Sequence, residues 1–250
     1  MSGHSKWSTI KRKKGKADAE RGRMFTRLIK EITVAAREGG SDPEANPRLR
    51  SAVAAAKAAN MPQDNIKRGI LKGTGELPGV SYESVTYEGY GPGGVALFLE
   101  VMTDNKNRAV ADIRHILSKY GGNLGANGCV AWMFDKKGVV TVDLGEADED
   151  VLLEAALEAG AEDMNTDSGA FEIRMDPALL DDVRQAIEDK GIEIASAEVT
   201  MLPQNTTRIE SESDAGALLK MLEALEEHED IQKVYTNFDM DEALLEKVAG

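Results

Sequence analysis

The sequence predicts an α+β multidomain protein, with a small all-helical N-terminal domain and two α+β domains, one inserted in the other. Three observations predict it. Apolar residues recur at helical spacing through Lys72, and from Tyr82 the period changes to two. Residues 138–202 then run strand, helix, strand, strand, helix, strand as one set. The pieces on either side of that set are each incomplete: two strands, a helix and a strand before it, a helix and a strand after it.

The helical part comes first. In Met24–Glu38, Phe25, Leu28, Ile29, Ile32 and Ala36 fall on one face, and Gly39-Gly40 ends the run. In "NPRLRSAVAAAKAAN", Asn46 suits the N-cap and Pro47 the first helical position. Leu49, Ala52, Val53 and Ala56 make its buried stripe, and Asn60 can close it. "MPQDNIKRGILKG" starts a third helix at Pro62, with Ile66 and Ile70 inward and Lys67, Arg68 and Lys72 toward solvent. "GTGELPG" (Gly73–Gly79) reads as a linker.

Strands "YESVTYEGY" and "VALFLEVMT" follow, joined by a turn at Gly91–Gly94. "NKNRAVADIRHILSKYGG" is a helix with Val110, Ile113, Ile116, Leu117 and Tyr120 on its core side, and "CVAWMF" reads as another strand. Next come strand "GVVTVDL", helix "DEDVLLEAALEAG", a strand near "AEDMN", a turn at Asp167-Ser168-Gly169 and strand "AFEIRM". Helix "DPALLDDVRQAIEDKG", stopped by Gly191, and strand "IEIASAEVTM" complete the set. Its order is that of a ferredoxin-like unit. A short strand at Thr206–Ile209, one helix and one strand end the pattern. The C-terminal fragment is too short to bury a core alone, so it is expected to complete the earlier piece. The expected domains are 1–78, 79–137 with 203–250, and the insertion 138–202. A linear string of independent modules is the alternative.

The chain's −14 formal charge is unevenly spread. Residues 1–72 hold 17 Lys/Arg and 7 Asp/Glu, whereas residues 145–200 hold 3 and 17. A basic module joined to acidic ones points to a polyanion partner at one end. The opening segment holds six cations and no acid up to Lys16: Lys6, Lys11, Arg12, Lys13, Lys14 and Lys16. No apolar stretch follows them as in a secretory signal, and none elsewhere reaches a membrane span. The single Cys129 forms no internal disulfide and fits a cytoplasmic location.

Basic runs are often solvated tails. Here the positive charge continues onto helices at Arg21, Arg23, Arg27 and Lys30, with a second cluster at Lys67, Arg68 and Lys72. Long cationic side chains beside helix N-termini are what phosphate contact needs. Trp7 either stacks on a base or docks on the protein's own body. In "DNKNR", Asp104 or Asn105 suits a helix cap, and Asn105, Lys106, Asn107 and Arg108 together could hold a phosphate or base edge.

Catalytic patterns are missing. "GYGPGGVA" has no Lys-Ser/Thr after its glycines and precedes a strand rather than a helix, so it reads as a hairpin turn, and H-E-x-x-H, G-x-S-x-G and C-x-x-C do not occur. The sequence therefore predicts a non-enzyme with no cofactor, metal or small-molecule substrate. In the absence of a heptad pattern it predicts a monomer. The acid-rich segment reads as a solvated surface that could also repel nucleic acid from its own face.

"GHSKWSTIKRKKGKADAERGRMFTRLIKEI", "MPQDNIKRGI", "YEGYGPGGVALFLEVMTDNKNRAVADIRHILSKYGG" and "GCVAWMFDKKGVV" resemble stretches of the YebC/PmpR family. The likeness runs nearly end to end. It implies a three-domain cytoplasmic protein labelled a transcriptional regulator that binds DNA. It also implies a kinship with mitochondrial translational activators of cytochrome c oxidase. Bacterial members described as ribosome-associated factors imply a second activity, help with difficult peptide bonds such as proline runs. Four readings follow: a DNA-binding regulator, a translation factor that binds ribosomal RNA, an enzyme with a site between the α+β domains, and a protein-binding regulator that uses its acidic face.

Overall fold

The structure, a computed structural model, describes residues 17–166 and 169–249. Three helices come first: α1 (Ala17–Gly39), α2 (Pro47–Ala58) and α3 (Gln63–Gly73). Their core is Ile32, Ala35 and Ala36 of α1 with Leu49, Ala52 and Ala56 of α2 and Ile66 of α3. Asn46 organises the α1–α2 corner. Its Oδ1 accepts from the Leu49 N–H at 3.1 Å, while its Nδ2 donates to the Ala35 and Gly40 carbonyls. One side chain thus caps one helix and ties down the end of the other. At the far end of α2, Asn60 adopts φ 57°, so that Asn60 N–H reaches Lys57 O and Met61 N–H reaches Ala56 O. These two bonds make a Schellman closure, built on asparagine rather than glycine. A Cβ at Gly73 would run into the Thr33 carbonyl, so glycine there lets α3 lie close on α1.

The first sheet has the order β3-β1-β2-β9, all antiparallel. Its strands are β1 (Glu83–Tyr90), β2 (Ala96–Thr103), β3 (Asn123–Leu124) and β9 (Ile231–Thr236). Helices α4 (Lys106–Lys119) and α7 (Glu212–Glu227) cover one face. There Leu97, Leu99 and Val101 meet Ile113 and Leu117 of α4 and Leu218 and Leu222 of α7. On α4 the fully buried positions are Ala109, Ile113 and Leu117, with Val110 only half-buried.

The second sheet is built from β4 (Phe134–Asp143), β5 (Asp163–Asn165), β6 (Ala170–Met175) and β7 (Ser196–Pro203) in the order β5-β6-β4-β7. With α5 (Glu149–Glu158) and α6 (Leu180–Asp189) packed on it, this is the antiparallel ferredoxin-like arrangement the element order predicts. The first sheet has the same layers, but its central pair is the hairpin β1–β2. The chain leaves the first sheet after β3, builds the second, and returns through β7. It then forms β8 (Thr207–Ile209), α7, β9, β10 (Phe238–Met240) and α8 (Glu242–Ala249), with β8 and β10 paired in parallel.

Four elements differ from expectation, the first being the two-residue strand β3, which was not expected. Short β10 and helix α8 were not expected, although Leu245 of α8 is fully buried. "CVAWMF" is not a strand: Ala131–Met133 forms a single helical turn, and β4 begins at Phe134 and pairs with β7 along its length. The reason is Glu88. This buried carboxylate of β1 accepts from the N–H groups of Gly128 (2.6 Å), Val130 (2.7 Å) and Ala131 (2.8 Å), donors that a strand would have spent on a neighbour. Burial pushes the Glu88 carboxyl up, but the three donors outweigh it and hold it below the usual carboxylate range. Around this loop Phe98, Tyr235 and Phe134 join the two sheets, with ring centroids 6.1–6.2 Å apart.

Glu88→Ala leaves three N–H donors without their acceptor, at about 1–3 kcal/mol for each that stays dry. Urea denaturation should show a loss of at least about 2 kcal/mol, whereas Glu88→Gln should retain part of it. Because the folded pKa is depressed, the Glu88 contribution is complete above the unfolded value near ~4.3 and fades as the pH falls through the folded one.

Candidate nucleic-acid interface

Helix α1 does more than complete the helical core. It crosses to the far end of the first sheet, where an acidic run meets it. There Lys30 Nζ donates to Asp230 Oδ1 at 2.7 Å and to Glu229 O at 2.9 Å, and lies 5.3 Å from the centre of the Tyr82 ring. The Lys30 and Asp230 side chains are 7% and 5% exposed. Asp230 also accepts from Thr103 Oγ1 (2.9 Å) and Arg108 Nη2 (2.8 Å), so one carboxylate joins α1, β2 and α4. Burial alone would raise its pKa, but hydrogen bonds from Lys30, Arg108 and Thr103 hold it below the usual aspartate range. One turn earlier on α1, Arg27 donates to the Glu226 carbonyl, and Arg23 approaches Glu227 at 3.9 Å. Burial pulls the Arg27 pKa down, only partly offset by Glu226.

The expected contact residues therefore divide. Lys6, Trp7, Lys11, Arg12, Lys13, Lys14 and Lys16 lie outside the described residues. Lys30 is corrected from surface to interior: its ammonium is consumed by Asp230 and cannot reach a phosphate while α1 is docked. Arg27 is half-buried in the same joint. In "DNKNR" the cap is Asn105, whose Oδ1 accepts from the Arg108 N–H. Lys106 pairs with Glu83 at 2.5 Å and Arg108 bridges Asp104 and Asp230, while Asn107 is exposed. Arg21 is exposed on α1. On α3, Lys67, Arg68 and Lys72 are all exposed, and none of the described carboxylates pairs with them. Ile66 and Gly69 turn inward against α1, which fixes this cationic face outward.

Asp230 was not singled out in the sequence. It stands in "EEHED", which reads as solvated acid, and no local signal marks the last residue of that run as buried. Among the described residues, no three His, Cys, Asp or Glu side chains gather as a metal site. Among the same residues no helix is long and apolar enough to cross a membrane.

Two family descriptions match these regions. The TACO1/YebC N-terminal domain matches residues 5–76, and the TACO1/YebC second and third domain matches residues 82–238. The chain belongs to the TACO1/YebC family. A probable transcriptional regulatory protein of Desulforapulum autotrophicum is 61% identical over 240 residues, covering 96% of this chain and 97% of its own. One from Desulfotalea psychrophila is 59% identical over 249 residues, covering 100% of both chains. The crystal structure of a conserved hypothetical protein from Aquifex aeolicus shares the fold with a TM-score of 0.81 and 48% identity, over 90% of this chain and 93% of that one.

Removing one partner of a buried ion pair costs roughly 3–5 kcal/mol. Asp230→Ala should therefore loosen α1, seen as faster amide exchange across Ala17–Gly39 at neutral pH; unchanged exchange would mean that apolar contacts alone hold the helix. In the parent chain the depressed Asp230 pKa sets the sign. The contribution is complete above the unfolded value of ~3.9 and is lost as the pH falls through the lower folded one. Acid titration should therefore release α1 only below the ordinary aspartate range.

Proposed function

We propose that this chain is a non-enzymatic, cytoplasmic, nucleic-acid-binding regulator of gene expression, in the first place a DNA-binding transcriptional regulator. One observation carries the reading. The helical unit presents Lys67, Arg68 and Lys72 outward with no carboxylate partner among the described residues, on a segment with ten more cations than acids, while the remainder of the chain is acidic. Cations so placed neutralise phosphates and release their counterions. The acidic remainder repels the same polyanion and so limits the faces it can approach. The names of the relatives support the regulatory role.

A second reading has its own support. Lys30 and Arg27 of the long helix α1 are engaged by Asp230 and by the Glu226 carbonyl of α7, and what remains outward is chemistry for phosphates, which positions without reading sequence. That suits a ribosome-associated factor on structured RNA, which would assist peptide-bond formation by positioning.

The two separate by ribosome sedimentation and duplex binding at about 100 mM salt. Tight binding to one duplex sequence with no ribosomal sedimentation supports the first reading. Sedimentation with ribosomes and only nonspecific duplex binding, of roughly 10⁻⁴–10⁻⁶ M, supports the second. In either case Lys67→Ala/Arg68→Ala/Lys72→Ala should weaken binding and flatten its salt dependence, by about 0.9 in log–log slope per lost duplex contact. The melting temperature should barely move, because all three side chains are exposed. Removing Met1–Lys16 should act in the same direction.

A further inference from the structure

Between α1 and the open face of the first sheet lies a cleft of about 920 Å³. That is near the top of the range of roughly 300–1,000 Å³ usual for small-molecule sites. Met24 and Leu28 of α1 supply one wall and Met102 of β2 part of the other. Polar residues line it as well: Thr86 and Glu100 from the strands, the latter hydrogen-bonded to Tyr235, Arg27 and Glu31 from the helix, Glu226 of α7 and Gln232 of β9.

Two of these side chains are incompletely satisfied. Arg27 Nε and Gln232 Nε2 are buried, and neither has a hydrogen-bond acceptor among the described residues. Buried donors without acceptors are rare and cost free energy unless something supplies a partner. Both sit on rotatable stems and line one cleft, where an acceptor-bearing ligand could meet them. The depressed pKa of Arg27 agrees, since its positive charge is under-compensated where it lies.

We propose that this cleft binds a nucleoside monophosphate unit, either free or turned out of a bound strand. The base would lie between the Met24–Leu28 wall and Met102, where thioether and aliphatic groups accept an aromatic face. Its donors would meet Glu100 and Thr86, and its acceptors and phosphate would draw Gln232 and Arg27 out of their unpaired positions. The choice of a nucleotide among acceptor-bearing anions rests on the nucleic-acid reading above. It would add a bound nucleotide to a chain expected to have no small-molecule substrate.

The test is calorimetric titration of the full chain with AMP, GMP, CMP and UMP. Saturable binding of at least one is expected, weakened about fivefold or more by Gln232→Leu, the loss of one hydrogen bond. The melting temperature should stay level or rise, since an unpaired buried amide is removed. No saturable binding of any of the four at roughly 1 mM would overturn the proposal. Unchanged affinity in Gln232→Leu, or equal displacement by inorganic phosphate, would do so too. Competition by a short single-stranded oligonucleotide distinguishes the sources: displacement assigns the site to a strand's own nucleotide, and its absence to free nucleotide, with the cleft assignment upheld by both. The Lys67→Ala/Arg68→Ala/Lys72→Ala variant keeps the two proposals apart. It should lose polynucleotide affinity and retain mononucleotide binding, so either can fail without the other.

Discussion

The Asp230 carboxylate is the point on which the arrangement of this chain depends. It takes a hydrogen bond from Lys30 of α1, one from Thr103 of β2 and one from Arg108 of α4, while its own N–H donates to His228 Nδ1. Desolvating a carboxylate is unfavourable by several kcal/mol unless its lone pairs are filled. Here they are filled by two cations and a hydroxyl from three different elements. Such a site specifies position more than it adds stability, because only one placement of α1 brings the Lys30 ammonium to within 2.7 Å. The cleft under α1 and the outward face of α3 both follow from that placement.

Docking also re-sorts the charges. By composition, Arg23, Arg27 and Lys30 extend the basic arm onto the first helix. In the fold they meet Glu227, the Glu226 carbonyl and Asp230. What the basic unit keeps exposed and unpaired with any described carboxylate includes Arg21, Arg37, Arg50 and Lys57 as well as the α3 cluster, with the N-terminal cations beyond the described residues. A count of 17 Lys/Arg therefore overstates the available positive surface. It also explains why the helix richest in such residues is a structural joint rather than an exposed probe.

Most of the fold was legible because its signals are local. Asn46-Pro47 announces a helix start, Asn60 a helix end, and the alternation in "AFEIRM" a strand that the structure places at the same residues. The failures have a common physical cause, a partner distant in sequence. "CVAWMF" has strand composition, but its N–H groups answer to Glu88, some forty residues earlier. Lys30 has the spacing of a surface cation, but its partner lies 200 residues on. Helix α8 repeats Leu244, Leu245 and Val248 at helical spacing, a pattern available in the sequence and not used. For the candidate site, the outward cluster on α3 could be read from the inward Ile66, whereas the engaged state of Arg27 and Arg108 could not.

Helix α7 shows why the joint forms where it does. Its last turn carries Glu226 and Glu227 and no basic residue, so negative side chains sit at the negative end of the helix dipole. Alone, that terminus is frustrated: Leu225 O accepts from the capping His228 N–H, but the side chains of the last turn have the wrong sign. Arg27 supplies a donor to the Glu226 carbonyl, Lys30 one to the Glu229 carbonyl, and Arg23 a positive charge near Glu227. The cations that α7 lacks are delivered by α1, from the opposite end of the chain. The C-terminal end of α7 and the middle of α1 satisfy each other at short range, where salt screens little. The attraction between a basic unit and an acidic one is thus confined to a few matched contacts. The α3 cations have no such counterpart among the described residues and stay outside that joint.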